Sequence, residues 1–370
     1  MKASVVLPAY NEGKSIGRLL RGLAQCRIDP ADSLEVVVVD DGSTDDTGRV
    51  IAEFSTDLDL DYLFLPRTSA SGRAAARNAG IEKATGELVV MVDADQVCGP
   101  DLIGEHIRYH RQHEDLVVAG PRHDLAEGLF DDERLAHGFD SSSLPDVVGE
   151  DGRLDVLAAF SENFNNLETC WHHMFSCNVS VRRRHLLAVG GFDPGFTGWG
   201  LEDSELGYRL RRAGLAFAFN PAAVAYQTGR HQVTPNMFEQ WRRNLTYFVA
   251  KHGGAAEVAV QAIICRVFDP ADHSIDWLEG VRRMELAARA LAGRTPTALQ
   301  WVEADEGNAA QVLTGLAQQA STHDLLVIDD TERAMLAAPV QCIGTSKDLL
   351  YFHRPTPRLR DRLRERYAAG

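Results

Sequence analysis

The sequence predicts an α/β fold built on a mostly parallel sheet and followed by a smaller α/β appendage. Three observations carry that prediction. From the N-terminus to Ala119, short apolar runs alternate with helix-period segments, the pattern of a parallel sheet with crossover helices. The run Leu88-Val89-Val90-Met91-Val92 is apolar without alternation, as a strand covered on both faces must be, and it ends in Asp93-Ala94-Asp95. Past His252-Gly253-Gly254 the character of the chain changes, which marks a second unit.

Taken in order, Ser4–Pro8 reads as the first strand, Lys14–Cys26 as a helix and Leu34–Val39 as the second strand. Gly42-Ser43-Thr44-Asp45 is a turn that feeds an N-cap, so a helix is expected over Thr44–Phe54. Strand Leu60–Leu65, helix Gly72–Lys83, strand Glu87–Val92, helix Asp101–Gln112 and strand Leu116–Ala119 continue the rhythm. From Arg122 to Leu154 periodicity gives way to Asp, Ser, Gly and Pro, and a long loop or lid is expected there (122–154). Order returns with strand Met174–Val181, helix Arg183–Val189, helix Glu202–Ala213, strand Leu215–Asn220 and helix Asn236–Lys251 behind Pro235. The expected division is a catalytic unit over 1–252 and an appendage over 253–370. In the appendage, Asp276–Leu291 and Gln311–Ala320 read as helices, Thr297–Val302 and Leu325–Ile328 as strands, and Val340–Phe352 as strand-bearing.

Composition narrows the function. With 38 basic and 53 acidic residues the net charge is −15, which argues against a nucleic-acid binder. The basic stretches Arg182-Arg183-Arg184 and Arg358 to Arg366 read as solvated helix faces or helix ends. No run of eighteen apolar residues suggests a membrane span, and the N-terminus reads as a strand and not as a signal peptide, so a cytoplasmic protein is the expectation. Six cysteines without CxxC spacing predict reduced, mostly buried thiols and no zinc site.

Acids at the carboxyl end of a parallel strand stand where open α/β sheets bind ligands. Two hard oxygen donors there suit Mg²⁺ or Mn²⁺, which in turn suits a diphosphate. Three further segments join Asp93-Ala94-Asp95. They are Pro8-Ala9-Tyr10-Asn11-Glu12 and Asp40-Asp41-Gly42-Ser43-Thr44-Asp45, each at the end of a strand, and Gly198-Trp199-Gly200-Leu201-Glu202-Asp203, which opens a helix. Each alone has a bland reading: core packing for Tyr10, a helix-entry turn for Asp41, and simple capping for Glu202 and Asp203. Together and in this order, over residues 1 to about 250, they resemble the family 2 glycosyltransferases of the GT-A fold, a nucleotide-diphospho-sugar transferase fold. The stretch from Asn178 through Gly190-Gly191-Phe192-Asp193 to Asp203 is similar to its galactosyltransferase-type C-terminal part.

That resemblance implies a metal-dependent, inverting transferase of the hexosyl or N-acetylhexosaminyl class. It would move sugar from a nucleotide sugar, with UDP expected as the nucleotide, to an acceptor hydroxyl. It implies that Pro8, Tyr10, Glu12, Asp41, Arg73, Asp93, Asn178 and Trp199 bind substrate, with Tyr10 stacking on the base and Asp41 accepting from a uracil imide. Asp95 is the implied direct ligand of Mn²⁺ or Mg²⁺, Asp93 its helper, and His231 a third ligand, although a lone loop histidine is more often structural. Asp203, whose charge the helix start favours, is the expected general base, with Glu202 holding sugar hydroxyls. Arg77 lies one turn after Arg73 and reads equally well as a surface arginine. Trp171-His172-His173 is a weaker candidate for the pocket wall. Adjacent histidines on a strand diverge and would not form a metal pair.

Four rival readings lose ground on the residues present or missing. Gly72-Arg73-Ala74-Ala75-Ala76-Arg77 lacks the spacing of a dinucleotide loop. Gln240-Trp241-Arg242-Arg243-Asn244 is similar to the QxxRW motif of processive synthases but carries Asn244 in place of tryptophan. A nucleotidyltransferase would bring a basic Gly-rich loop near the first strand, and a non-catalytic sensor would have lost an acid. The appendage is expected to shape the acceptor site or to form a homodimer interface.

Overall fold

The computed structural model describes residues 1–68, 71–160, 162–228, 234–252, 255–264, 276–292, 299–343 and 349–354, with 357, 360, 361 and 364. A seven-stranded sheet runs in the order β10-β6-β9-β4-β1-β2-β3. Its strands are β1 (Lys2–Ala9), β2 (Ser33–Asp40), β3 (Leu60–Phe64), β4 (Leu88–Val92), β6 (Leu116–Ala119), β9 (Asn178–Arg182) and β10 (Ala216–Phe219). All pair in parallel except β9, which lies antiparallel between β4 and β6. β4 is buried at every position, which is why its sequence shows no alternation. Helices α1 (Ile16–Ala24), α2 (Thr47–Ala52), α3 (Arg73–Lys83) and α4 (Leu102–Gln112) make the crossovers. α1 turns Ile16, Leu19, Leu20 and Leu23 inward, a helical stripe that matches the sheet's apolar face.

The segment 122–154 differs from the expected long loop. It carries β7 (Arg122–Leu125), α5 (Asp132–His137) and β8 (Val147–Gly149), and β7 and β8 join β5 (Gln96–Cys98) and β11 (Ala225–Gln227) in a four-stranded sheet ordered β5-β11-β7-β8. These strands are too short and too polar to show a period. One buried ion pair anchors their return: Arg153, at the start of α6 (Arg153–Ala159), pairs with Asp151 at 2.7 Å and donates to the carbonyls of Gly120 and His173. Burial opposes the Asp151 charge, yet Arg153 holds its carboxyl at about 2.

After α7 (Arg183–Ala188), α8 (Glu202–Arg212) and the long α9 (Pro235–Lys251), the appendage forms its own parallel sheet, β12 (Leu299–Ala304), β13 (Asp324–Asp329) and β14 (Leu349–His353). The appendage and the turn at Phe164–Asn166 together seal the outer edge of β10. Phe217 N–H donates to Asn165 Oδ1 at 2.9 Å and Phe219 N–H to Gln341 Oε1 at 2.8 Å, so an edge strand that would otherwise expose donors is closed by side-chain amides. Asn166 takes both the N–H and the carbonyl of Leu349.

Arg182 ends β9 and is buried against Glu87 and the His110 carbonyl, so it is not part of a solvated helix face, and Arg183 and Arg184 begin a helix. Much of the stretch Arg358 to Arg366 lies outside the described residues. The five described cysteines are unbridged. Among the described residues no helix is long and apolar enough to cross a membrane.

Candidate active site at the carboxyl rim

Parallel register lines up the carboxyl ends of β1, β2 and β4. Ala9 pairs with Asp40, so Tyr10 and Asp41 leave the sheet side by side, and Asp41 N–H donates to Ala9 O at 2.8 Å. The two exit loops are laced together. Asn11, held at φ +57°, accepts from Thr44 N–H and donates its own N–H to Ser43 Oγ, while Glu12 N–H reaches Thr47 Oγ1. Tyr10 is 44% exposed, which excludes the core-packing reading of it. Asp41 is 6% exposed; its Oδ2 accepts from Arg67 at 2.8 Å and its Oδ1 is buried without a partner among the described residues. A buried acceptor left open is costly to fold and is the kind of group that a ligand N–H would satisfy.

Next along the rim stand the acids of β4. Asp93 Oδ1 accepts from Arg77 at 2.8 Å. Asp95 is bonded by the Gln227 amide, and its backbone carbonyl accepts from Thr228 N–H and Oγ1. Burial, followed by the like charges of Asp93 and Glu12, raises the Asp95 carboxyl to about 7. Glu12, held by Ser15, is itself raised by burial and by Asp93 and Asp45. A cluster of hard oxygens that repel one another in this way fits a divalent cation, which would relieve that repulsion. Among the described residues no three acidic, histidine or cysteine side chains converge as a complete ligand set. His231 lies outside the described residues, three positions after Thr228.

Arg77 is the residue that sequence reasoning undervalued. It is 3% exposed, its Nη2 holds Asp93, and its Nε and Nη1 are buried without partners among the described residues. Besides Asp93, its charge is stabilised by Asp203 and Glu202. One buried cation therefore stands among the acids of two separate segments. Arg73, a turn earlier, is exposed at the start of α3 and contributes to the field at Glu202.

The second acid pair sits on a clamped loop. Gly198, Gly200 and Leu201 all have positive φ, and a Cβ on Gly200 would lie 2.6 Å from the Trp241 ring. α9 holds the loop in this strained form: Gln240 Oε1 accepts from Trp199 N–H at 2.8 Å, and Asn244 donates to Gly200 O at 2.8 Å. The segment that is similar to a processive-synthase motif thus fixes the entry to α8. Asp203 accepts from Ser176 Oγ at 2.7 Å and from Ser176 N–H at 3.1 Å. Glu202 is buried, and burial followed by the Asp203 charge raises its carboxyl to about 7 against the opposing pull of Arg77. Trp199 is half-buried beside them.

Two candidates do not reach this rim. Asn178 is fully enclosed. Its amide donates to Pro121 O and Ala223 O and its Oδ1 meets His106, so it ties β9 to its neighbours and has no group left for a substrate. His172 and His173 lie on a single 3-10 turn, both buried with ring centroids 5.6 Å apart, and burial drives His172 down to about 4. They pack among Phe164, Trp171 and Trp277 as core residues.

With that geometry in place, comparison with known sequences is decisive. The profile described as glycosyl transferase family 2 matches residues 4–186, and one described as the N-terminal domain of galactosyltransferase matches 158–232. The chain belongs to glycosyl transferase family 2. It is 27% identical over 301 residues to the uncharacterized glycosyltransferase YfnE of Bacillus subtilis, covering 73% of this chain and 75% of that one. It is 30% identical over 262 residues to validoxylamine A glucosyltransferase of Streptomyces hygroscopicus subsp. limoneus, covering 67% of this chain and only 56% of that protein. Among solved structures, S. aureus TarS 1-349 in complex with UDP-GlcNAc superposes with a TM-score of 0.51 at 20% identity, covering 86% of this chain and 80% of that one. The shared fold is GT-A, and the enzyme is a glycosyltransferase.

Proposed function

We propose that this glycosyltransferase moves a sugar from a UDP-linked donor to an acceptor hydroxyl with inversion at the anomeric carbon. The observation that carries the reading is the meeting, around Arg77, of the Asp93/Asp95 pair with the Glu202/Asp203 pair, beside an exposed Tyr10 and an open Asp41 oxygen. The base stacks on Tyr10 and gives its imide N–H to Asp41 Oδ1, while the loop from Pro8 to Glu12 shapes the nucleoside pocket. Asp93 and Asp95, with His231 as the third candidate, would hold Mn²⁺ or Mg²⁺, and such a cation neutralises charge on a departing diphosphate. Arg73 faces the phosphates.

Asp203 is the general base. Ser176 fixes its carboxylate through two hydrogen bonds, so that it is aimed before the acceptor arrives. It takes the hydroxyl proton as the acceptor oxygen bonds to the anomeric carbon, and the bond from that carbon to the diphosphate oxygen breaks on the opposite face. Glu202, raised toward neutrality, donates to or accepts from a sugar hydroxyl, and Trp199 supplies a flat wall. The test is turnover of a panel of nucleotide sugars by the wild type and Asp203→Asn, with Mn²⁺ and with chelator. One UDP-sugar should be consumed in a metal-dependent way that the variant loses. Undiminished turnover by Asp203→Asn, or release of pyrophosphate in place of UDP, would overturn the reading.

A further inference from the structure

We propose that Arg67 is a built-in competitor for the nucleobase: its guanidinium fills the face of Tyr10 and one oxygen of Asp41 until a donor displaces it. The inference rests on the reading of Tyr10 and Asp41 as the base site. The Arg67 guanidinium carbon lies 4.0 Å from the Tyr10 ring centroid, which is the thickness of one stacked layer. A base on that face of the ring would need the same space. From the same position Nη1 donates to Asp41 Oδ2 at 2.8 Å and to the Asp41 carbonyl at 3.1 Å. The protein's own cation thus makes the two kinds of contact, stacking and hydrogen bonding to Asp41, that the base must make.

The backbone beneath Arg67 is fixed, so the competition is local to its side chain. Leu65 N–H donates to Asp40 O at 2.8 Å, and Gly42, at φ +82°, allows the chain to pass where a Cβ would meet Arg67 N at 2.9 Å. The Asp-Asp-Gly motif therefore does more than present Asp41; it seats the backbone of its occupant. The side chain is 48% exposed, so it has solvent to swing into once displaced. Asp41 Oδ1 is buried without a partner among the described residues, so a base N–H can satisfy it once the Arg67 side chain has moved aside. With the Arg67 side of both contacts half open to solvent, the stack and the ion pair are each weak, and their combined effect on affinity is about five- to tenfold. Arg67 would thereby hold donor affinity below what the pocket alone could reach, and would disfavour any base that fails to replace both contacts.

Uridine, which lacks phosphates, separates this effect from the attraction between Arg67 and a diphosphate. Its affinity for the full chain is to be measured by NMR titration for the wild type, Arg67→Ala, and Arg67→Ala combined with Asp41→Ala. Arg67→Ala should bind uridine about five- to tenfold more tightly than the wild type, and the added Asp41→Ala should reverse the gain. If Arg67→Ala binds uridine equally or more weakly while Asp41→Ala still weakens binding in that background, the competitor role is wrong and the base site stands. If Asp41→Ala changes nothing in that background, the base-site reading itself fails and takes the proposal with it.

Discussion

Two regions of this enzyme bury polar groups in opposite ways. Along the outer edge of β10, the amides of Asn165, Asn166 and Gln341 are matched to backbone donors and acceptors. At the carboxyl rim of β1, β2 and β4, Asp41 Oδ1 and the Arg77 Nε and Nη1 are buried without partners among the described residues, and Asp95 and Glu202 are pushed toward neutrality. A saturated network lowers the free energy of one arrangement and has nothing left to offer a ligand. An unsaturated one costs folding free energy that only a ligand can return. The difference separates structural from functional polarity more sharply than residue type does, and Asn178 shows why: its sequence context suggests a substrate contact, but its saturated amide belongs to the first kind.

The largest effect should come from the unsaturated rim. Asp203→Asn keeps the shape and the Ser176 contact but removes the base, so transfer should fall by about 10²- to 10⁴-fold in steady-state assays with nucleotide affinity little changed. A loss confined to donor affinity would move Asp203 out of the catalytic role. At the saturated edge, Asn165→Leu strands the Phe217 N–H and should cost about 1–3 kcal/mol in chemical denaturation while leaving kcat per folded molecule intact. Asn178→Ala should behave in the same way, with a stability loss of about 1–3 kcal/mol and an unaltered donor KM. A selective rise in that KM would break the distinction.

A smaller effect belongs to the amino end of the sheet, where Glu35 is also saturated. Burial disfavours its charge, but Lys2, Ser4 and Thr85 hold its carboxyl at about 2, below the ordinary 4.5. Because the folded value is depressed, the stabilisation is present above about 4.5 and is lost as pH falls from there toward 2. Glu35→Gln should flatten the stability profile across that window, as read by denaturation midpoints.

Much of the rim was legible in the sequence because its parts are local. Each acid pair follows directly on a strand or opens a helix, and the strands announce themselves by apolar runs: Val5-Val6-Leu7 in β1, Val36 to Val39 in β2 and the whole of β4. What was not legible depends on contacts between distant segments. β5, β8 and β11 are three residues each and show no period. The reversal of β9 leaves no local trace, since a strand buried on both faces reads alike in either direction. Arg77 looked like half of a surface pair until α3 turned it inward. Arg67 carried no motif at all. Gln240 and Asn244 resembled part of a known motif, but their partners are backbone groups of a loop some forty residues away in sequence, which no spacing rule identifies.

The unpartnered polar groups of the rim are proposed to await a metal-bound nucleoside diphosphate. Calorimetric titration of UDP into the wild type and Asp95→Ala, with Mn²⁺ and with chelator, tests this proposal most directly. Tight binding is expected only for the wild type with Mn²⁺, and at least about tenfold weaker binding (~1.4 kcal/mol) in the other three conditions. Equal UDP affinity in all four would contradict it.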